Sequence, residues 1–198
     1  LLLTGLGLQN AINDIIDKQF YQIYRYSMVV RVDAEVESAH DAVSNVLNDD
    51  AQAVGAYEWL HTANVIAVEE GAKDQRLELV VPEDPAASGD YVLMRERVGH
   101  DPLSLSDDGV IVSEKLAHEL GLGVGDNISV YREDDIGNAT GDAAVIPIAG
   151  IMENYVSQYL FITPALYEEA FDEELEWDTI YAQTTNDASQ RACLSEEL

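Results

Sequence analysis

The sequence predicts an α+β fold in which a mostly β lobe interrupts a lobe of helices and strands. Three observations carry this prediction. The first seventy residues alternate between helical and strand patterns, the stretch from about Gly71 holds short strand candidates separated by turn clusters, and the chain then returns to a strand and a helix. We therefore place the first lobe at residues 1–70 plus 176–198 and the inserted, mostly β lobe at residues 71–175.

The first predicted element is a long helix after Gly7. Its apolar stripe follows spacings of three and four residues and includes one Gln. The stripe consists of Leu8, Ile12, Ile15, Ile16, Gln19, Phe20 and Ile23. Residues 1–8, "LLLTGLGL", have two interpretations. They are the outer end of a transmembrane helix, or they are a frayed terminus or a helix that packs its leucines on the core, and the residues alone leave these interpretations open.

A strand, a helix and a further strand follow this first helix. "YSMVVRVDAEV" is rich in β-branched residues, which favours a strand. Ser38 is the predicted cap of the helix "SAHDAVSNVLNDD", and Gly55 ends that helix. "YEWLHTANVIAVEEG" then predicts one long strand or two shorter ones, so the region has a β-α-β order.

Four strand candidates make up most of the inserted lobe: "QRLELVVPED", "YVLMRERV", "DNISVYRED" and "AAVIPIAGIMENY". The helix "SEKLAHEL" is capped by Ser113 and ends at Gly121, and the helix "TPALYEEAF" has Thr163 as its cap and Pro164 at its first position. After the lobe, "DTIYAQTT" predicts a strand and "NDASQRACLSEEL" a helix.

Charge and composition exclude several classes of function. The chain of 198 residues has a net charge of −28 and only ten Lys and Arg residues, so it lacks the basic cluster that binds nucleic acid or anionic lipid headgroups. Its hydrophobic content of 47% is sufficient for a packed core. Cys193 is the single cysteine, so no internal disulfide forms, and its context is that of an ordinary helical position rather than of a nucleophile.

Motifs that would indicate chemistry fail on their spacing. His118 begins "HEL", but a zinc motif of the H-E-x-x-H type needs a second His where the chain has Leu122. The glycines of "GLGVGD" follow a helix and precede a strand, which is typical of a helix end and a turn rather than of a phosphate loop. "EDDIGNATGD" lacks the ligand pattern of a calcium loop, so we favour an acidic hairpin loop over weak calcium binding.

No set of residues predicts catalysis. The sequence has no G-x-S-x-G motif, and His40, His61 and His100 fall on different elements. Many carboxylates are present, but nothing selects a pair for acid–base work. We predict that the protein is not an enzyme and that it has no catalytic residue, no metal and no cofactor.

Two stretches resemble a known family. They are "DGVIVSEKLAHELGLGVGDNISV", residues 108–130, and "IAGIMENYVSQYLFITPALYEEAF", residues 148–171. Both are similar to the extracytoplasmic domain of FtsX-like ABC transporter permeases, the MacB-type periplasmic core domain, and the resemblance extends over nearly the whole chain. Gln158 stands where that family has His.

The resemblance implies a ferredoxin-like, porter-type lobe built from both chain ends, with residues 1–8 as the outer end of a transmembrane helix. It implies a non-catalytic domain on the extracytoplasmic side of the cell membrane that couples ATP-driven motion to cargo or to a partner. The implied partners are a cytoplasmic ABC ATPase, a second permease copy, and a cargo or extracytoplasmic partner. The alternative is a free-standing secreted protein that binds a cationic peptide or Ca²⁺.

Tyr155 and Tyr159 are the residues that we predict to contact a partner. Both lie in the family-like stretch around "ENY", and large rings often anchor protein contacts. The alternative, which the sequence leaves open, is that these rings pack on the sheet.

Overall fold

The residues described by the computed structural model, 14–33, 39–49 and 53–185, form eight strands and five helical segments. The strands are β1 Met28–Arg31, β2 Val54–Ala67, β3 Gln75–Pro82, β4 Val110–Ser113, β5 Asn127–Glu133, β6 Ala139–Met152, β7 Tyr159–Phe161 and β8 Thr179–Thr184. A π-helical turn, Gln19–Ile23, continues the α-helical residues 14–18. The α-helices are α1 Ala39–Asp49, α2 Ser88–Tyr91, α3 Glu114–Leu120 and α4 Pro164–Phe171.

All eight strands belong to one sheet with the order β1-β8-β2-β3-β7-β4-β6-β5. The sheet also closes on itself, because the end of β2 pairs with β5. Six strands, β2, β3, β7, β4, β6 and β5, thus form a ring, while β8 and β1 extend from the first half of β2. Strand β2 is long enough, at fourteen residues, to take part in both regions.

Three apolar clusters form the core of the described residues. The largest lies inside the ring, and the alternation of β6 shows how it is filled, because Ala144, Ile146 and Ile148 are buried there while Val145 between them is exposed. The second, around Ile23, packs on the outer face of the ring. The third lies under α1.

Most predicted elements are confirmed, and the fold is mixed α and β as predicted. The loop from residue 134 to 138 is a tight turn between β5 and β6, as expected for the acidic hairpin. The predicted long strand is β2. The division into two lobes at residues 70/71 and 175/176 stays a prediction. Ser38, Cys193, the helix after residue 185 and the first part of the leading helix lie outside the described residues.

One predicted strand is wrong. "YVLMRERV" contains the end of helix α2 and then an irregular segment with single bridges, from Val92 to Tyr24 and from Arg95 to Pro102. The physical reason is its burial pattern, since Tyr91, Val92 and Met94 are all buried in one cluster, which the strict alternation of a strand on a single face does not permit.

The predicted stripe of the leading helix is confirmed only in part among the described residues. Ile15, Ile16 and Phe20 are 39%, 42% and 51% exposed, whereas Gln19 and Ile23 are fully buried. The helix changes to the π-helical turn at Gln19, so spacings that assume 3.6 residues per turn no longer identify the buried face.

Two predicted helix ends are confirmed and two are wrong. Gly55, predicted to end the helix that is α1, lies within β2 instead. Thr163 caps α4, because its hydroxyl accepts a hydrogen bond from the Leu166 amide at 3.3 Å. Gly121 ends α3 in the left-handed conformation, which glycine adopts at little cost. Ser113 stands at the predicted start of α3, but its hydroxyl accepts from the Tyr159 amide at 3.2 Å instead of capping the helix.

Candidate functional site

Tyr155 and Tyr159 differ in burial although they lie four residues apart. Tyr159 is 8% exposed, and its hydroxyl lies 3.1 Å from that of Tyr24 in the cluster around Ile23. Tyr155 is half-buried in the loop between β6 and β7, and the Lys18 ammonium lies 5.7 Å from the centre of its ring. That these residues contact a partner stays a prediction, and of the two only Tyr155 is more than slightly exposed.

A buried amide network joins the leading helix to this loop. The Gln19 side chain donates to Asn154 Oδ1 at 2.8 Å and accepts from the Tyr155 amide at 2.8 Å and the Val156 amide at 3.3 Å. Asn154 in turn donates to the carbonyl oxygens of Val156 and Ser157. Both amide side chains are buried, so their hydrogen bonds fix the helix and the loop in one relative position.

A buried ion pair supports the network from the side of the sheet. Arg95 Nε donates to Glu153 Oε2 at 2.8 Å, and the Tyr155 hydroxyl donates to the other oxygen of Glu153. Burial opposes ionisation of Glu153, but these two hydrogen bonds and the charge of Arg95 hold the pKa of its carboxyl below the ordinary value. Arg95 also donates to Gln22 at 3.2 Å, so it reaches the leading helix as well.

We call Gln19, Arg95, Glu153, Asn154 and Tyr155 the helix–loop junction. Its groups are mutually satisfied donors and acceptors, and its acid is held in the ionised form by a cation. Such an arrangement holds parts together and has no poised proton donor or nucleophile. The π-helical turn begins at Gln19, and local departures from α-helical geometry are frequent at functional positions.

A second polar cluster lies beside a cavity of about 640 Å³. Asp178 Oδ2 lies 2.9 Å from His61 Nδ1, and the Tyr167 hydroxyl lies 3.3 Å from His61 Nε2. Burial works against the imidazolium, yet the hydrogen bond and charge of Asp178 raise the pKa of His61. Burial raises the pKa of Tyr167 to about 12, so this hydroxyl stays protonated and cannot serve as a nucleophile near neutral pH.

Within residues 14–33, 39–49 and 53–185, no three His, Cys, Asp or Glu side chains come together as a metal site would require. Over the same ranges, none of the helices has the length and apolarity needed to cross a bilayer. His118 lies on the exposed face of α3, apart from the other histidines' elements.

The two family-like stretches meet in the ring. Strand β4 of the first pairs with both β6 and β7 of the second, in parallel with β6 and antiparallel with β7. Gly109, just before β4, lies so close to the Pro147 carbonyl that a Cβ atom there would overlap with it. Asp126 accepts from the Gly123 amide at 2.8 Å and so fixes the turn that ends "GLGVGD".

The fold is similar to those of 25 solved chains. The extracellular domain of the noncanonic ABC-type transporter YknZ from Gram-positive bacteria matches at 13% identity over 84% of this chain and 86% of its own, with a TM-score of 0.49. The periplasmic region of MacB from Actinobacillus actinomycetemcomitans matches at 10% identity over 85% and 78%, with a TM-score of 0.45.

A domain of a putative permease protein from Porphyromonas gingivalis matches at 15% identity over 75% of this chain and 69% of its own, with a TM-score of 0.39. At identities of 10–15% the likeness to these three chains is one of fold. No family model matches the sequence, and no curated protein is detectably similar to it.

Sequence reasoning named Tyr155 as a partner contact but did not place it or its neighbours in the junction. Gln19 carried a signal, because it is a polar residue on an otherwise apolar stripe. Arg95 carried none, since its segment was assigned to a strand and its partner lies 58 residues further along the chain. Glu153 and Asn154 were part of the quoted "ENY" without a role.

Proposed function

We propose that this chain is the extracytoplasmic domain of an ABC transporter permease of the FtsX-like, MacB type. It performs no chemistry of its own and transmits motion driven by a cytoplasmic ATPase to a cargo or partner outside the membrane. One observation carries the proposal. The residues that make the two family-like stretches recognisable, among them Gly109, Gly121 and Asn154, each have a specific place in one contiguous part of the fold.

The helix–loop junction supports a coupling role. A displacement of the leading helix acts directly on the loop between β6 and β7, because Gln19 holds two amides and one side chain of that loop. Strand β6 then runs through the ring, and β7 joins β3 to β4. Packed interiors transmit such displacements because they have low compressibility.

The partners follow from this role. A cytoplasmic ABC ATPase supplies the motion, and a second permease copy completes the transporter. Tyr155, which is half-buried, is the member of the predicted pair that an extracytoplasmic partner can reach, while Tyr159 is buried in the cluster around Ile23. The domain stands on the extracytoplasmic side of the cell membrane.

The first test is to read the parent reading frame on both sides of the 198 residues. We expect apolar spans of about 20 residues upstream of Leu1 and downstream of Leu198. A cleavable signal peptide upstream and a stop codon directly downstream would overturn the proposal and favour the secreted binding protein instead.

The second test measures coupling in the full-length permease with its ATPase in lipid nanodiscs. We expect Asn154→Ala to retain ATP hydrolysis and to reduce its response to the extracytoplasmic partner or cargo, because the variant loosens the contact of the helix with the loop. Asn127→Ala, on the exposed start of β5, is the matched control and should leave the response unchanged. Equal responses of both variants would argue against coupling through the junction.

A further inference from the structure

A second cavity, of about 390 Å³, lies where α1, β2 and the segment after β3 meet. Its wall includes Trp59, His40, Tyr57 and Glu58 together with two acids of the β3–α2 segment, Glu83 and Asp84. Several of these side chains are held in place. The Trp59 indole donates to Ser44 at 3.0 Å and stacks on His40, with the ring centres 4.4 Å apart.

Glu58 is the unusual member of this wall. It is 6% exposed, and its Oε1 accepts from the Asp84 amide at 3.1 Å. Its Oε2 is buried and has no hydrogen-bond partner among the described residues. A buried carboxylate oxygen without a partner costs free energy, and a site that persists with one needs an explanation.

The charges around Glu58 increase this cost. Burial is the largest of the influences that raise the pKa of Glu58; the hydrogen bond from the Asp84 amide opposes it, the nearby acids Asp84, Glu83 and Asp90 reinforce it, and the resulting pKa is about 7. Over the part of the chain that the structure describes, no Lys or Arg forms an ion pair with Glu58 or offsets its pKa. The cavity is therefore a place of negative potential that no Lys or Arg among the described residues compensates.

The chemistry of the wall selects the kind of cation. One Glu58 oxygen already accepts a backbone hydrogen bond, so one oxygen remains and the flat, two-pronged guanidinium has no matching pair. An ammonium is a compact charge with three separate donors, which suits one free oxygen and further acceptors on Glu83 and Asp84. The broad terminal torsion of a glutamate lets Glu58 present an oxygen to the cavity that it lines.

We propose that this cavity binds a primary ammonium group, such as that of a lysine side chain or an alkylamine, with the Glu58 carboxylate as its principal partner. The proposal uses only residues that line this cavity, and none of them belongs to the helix–loop junction. The proposal therefore stands apart from the assignment as a permease domain, and each can fail without the other.

Trp59 provides the readout. The chain has two tryptophans, so Trp177→Phe leaves Trp59 as the single fluorescent indole, placed in the wall of the cavity. We expect n-butylammonium chloride at pH 8 to change its emission with saturation on the order of 1 mM, and tetramethylammonium chloride at the same ionic strength to leave it unchanged, because that ion has no N–H donor. An unsaturated response, or an equal response to both salts, overturns the proposal.

The carboxylate is tested by substitution. Glu58→Gln should weaken butylammonium binding at least about ten-fold, because hydrogen bonds to a charged group contribute more than those to a neutral one. Asp135→Asn makes the same charge change in the exposed loop between β5 and β6 and should leave the affinity unchanged. Retention of full affinity in Glu58→Gln overturns the assignment of Glu58.

A measurement on the unmodified chain keeps the proposal falsifiable if the variant fails to fold. The Asp84 amide donates to Glu58, so its nitrogen and proton chemical shifts should move with butylammonium and follow the same saturation curve. Affinity should also fall roughly 30-fold from pH 8 to pH 5.5 as Glu58 takes up its proton. His40 is the base that lines the cavity, so His40→Gln is measured in parallel and should retain this pH dependence. An Asp84 amide that does not respond overturns the proposal.

Discussion

Two buried glutamates of this chain have opposite environments. Glu153 is 2% exposed and Glu58 is 6% exposed, so a difference in burial does not explain why their pKa values shift in opposite directions. Glu153 accepts from Arg95 and Tyr155, and its pKa is lowered. Glu58 faces other acids and keeps one oxygen without a partner, and its pKa rises to about 7.

The difference separates a structural contact from an open site. The charge of Glu153 is compensated by Arg95, and both of its carboxylate oxygens accept hydrogen bonds, so the residue holds the helix–loop junction together. The charge of Glu58 is not compensated by any described cation, so a ligand that supplies one gains free energy there. The two glutamates also give opposite pH dependences of stability, which makes the comparison measurable.

The largest expected effect is that of Arg95→Ala. Removing this cation leaves Glu153 as a buried charge without its counterion, and we expect a loss of about 3–5 kcal/mol in the free energy of unfolding at pH 7. Urea unfolding measures it. Arg97→Ala is the matched control, because Arg97 pairs with Glu114 at 3.1 Å on the exposed surface, where loss of a pair costs less than about 1 kcal/mol. Similar losses in both variants would show that Glu153 does not depend on its buried partner.

The pH dependence gives a second view of the same variant. The lowered pKa of Glu153 stabilises the native state above the ordinary pKa of a glutamate, and this stabilisation is lost as pH falls through the native pKa. In Arg95→Ala the acid resembles Glu58, so this acid-side loss should disappear.

Glu58→Gln should have an effect of the opposite sign. Between the ordinary pKa of 4.5 and the native pKa of about 7, the native state holds a proton that the unfolded chain has released, so stability falls as pH rises through this window. The neutral variant avoids this loss. We therefore expect the free energy of unfolding of Glu58→Gln, relative to that of the parent chain, to rise by up to about 3 kcal/mol between pH 4 and pH 8. Thermal unfolding at the two pH values measures the difference.

Glu153→Gln is the control for this second prediction, because it makes the same substitution at an equally buried position. It weakens the hydrogen bonds from Arg95 and Tyr155 and should cost about 1.5–3 kcal/mol at pH 8. A gain of stability in Glu153→Gln, or a loss in Glu58→Gln, would contradict the contrast between the two sites.

The sequence predicted most strands and two of the helix ends, because those depend on local chemistry. β-branched runs, Thr163 before Pro164 and Gly121 after a helix are each read within a few residues. The two glutamates were not predictable in this way. Arg95 lies 58 residues from Glu153, so no local pattern indicates that they pair. The Asp84 amide reaches Glu58 through the antiparallel pairing of β2 with β3, in which Leu60 lies opposite Pro82, and that register was not predicted.

The leading helix shows the same limit in one element. Its spacing predicted one buried face, but of its five members in the described part only Gln19 and Ile23 are buried, and the π-helical turn that begins at Gln19 leaves Phe20 exposed. The buried position of a glutamine is explained only by Asn154, 135 residues further along the chain.

Asn154→Ala tests the neutral part of the junction beside Glu153. The change leaves the buried Gln19 amide group without its acceptor and the carbonyl oxygens of Val156 and Ser157 without their donor, so we expect a loss of about 2 kcal/mol. Hydrogen exchange of the Tyr155 amide should accelerate as well. Adding Gln19→Leu to Asn154→Ala should lower the free energy of unfolding by less than Gln19→Leu does in the parent chain, because the two residues share one interaction. Strict additivity would show that they do not act as a unit.

The smallest expected effect is at Thr163, where a buried hydroxyl meets an exposed acid. Thr163 donates to Asp107 at 2.5 Å and accepts from the Leu166 amide as the cap of α4. Because the Asp107 carboxylate is exposed to water, Thr163→Ala loses a cap but strands no buried charge, and we expect a cost of about 1 kcal/mol in chemical unfolding at pH 7. Thr163→Ser keeps the hydroxyl and should remain within about 0.5 kcal/mol of the parent chain. If Thr163→Ala cost as much as Arg95→Ala, burial of the acid would not determine the cost of losing its hydrogen-bond partner, because Asp107 is exposed and Glu153 is buried. That result would contradict the contrast drawn between the acids.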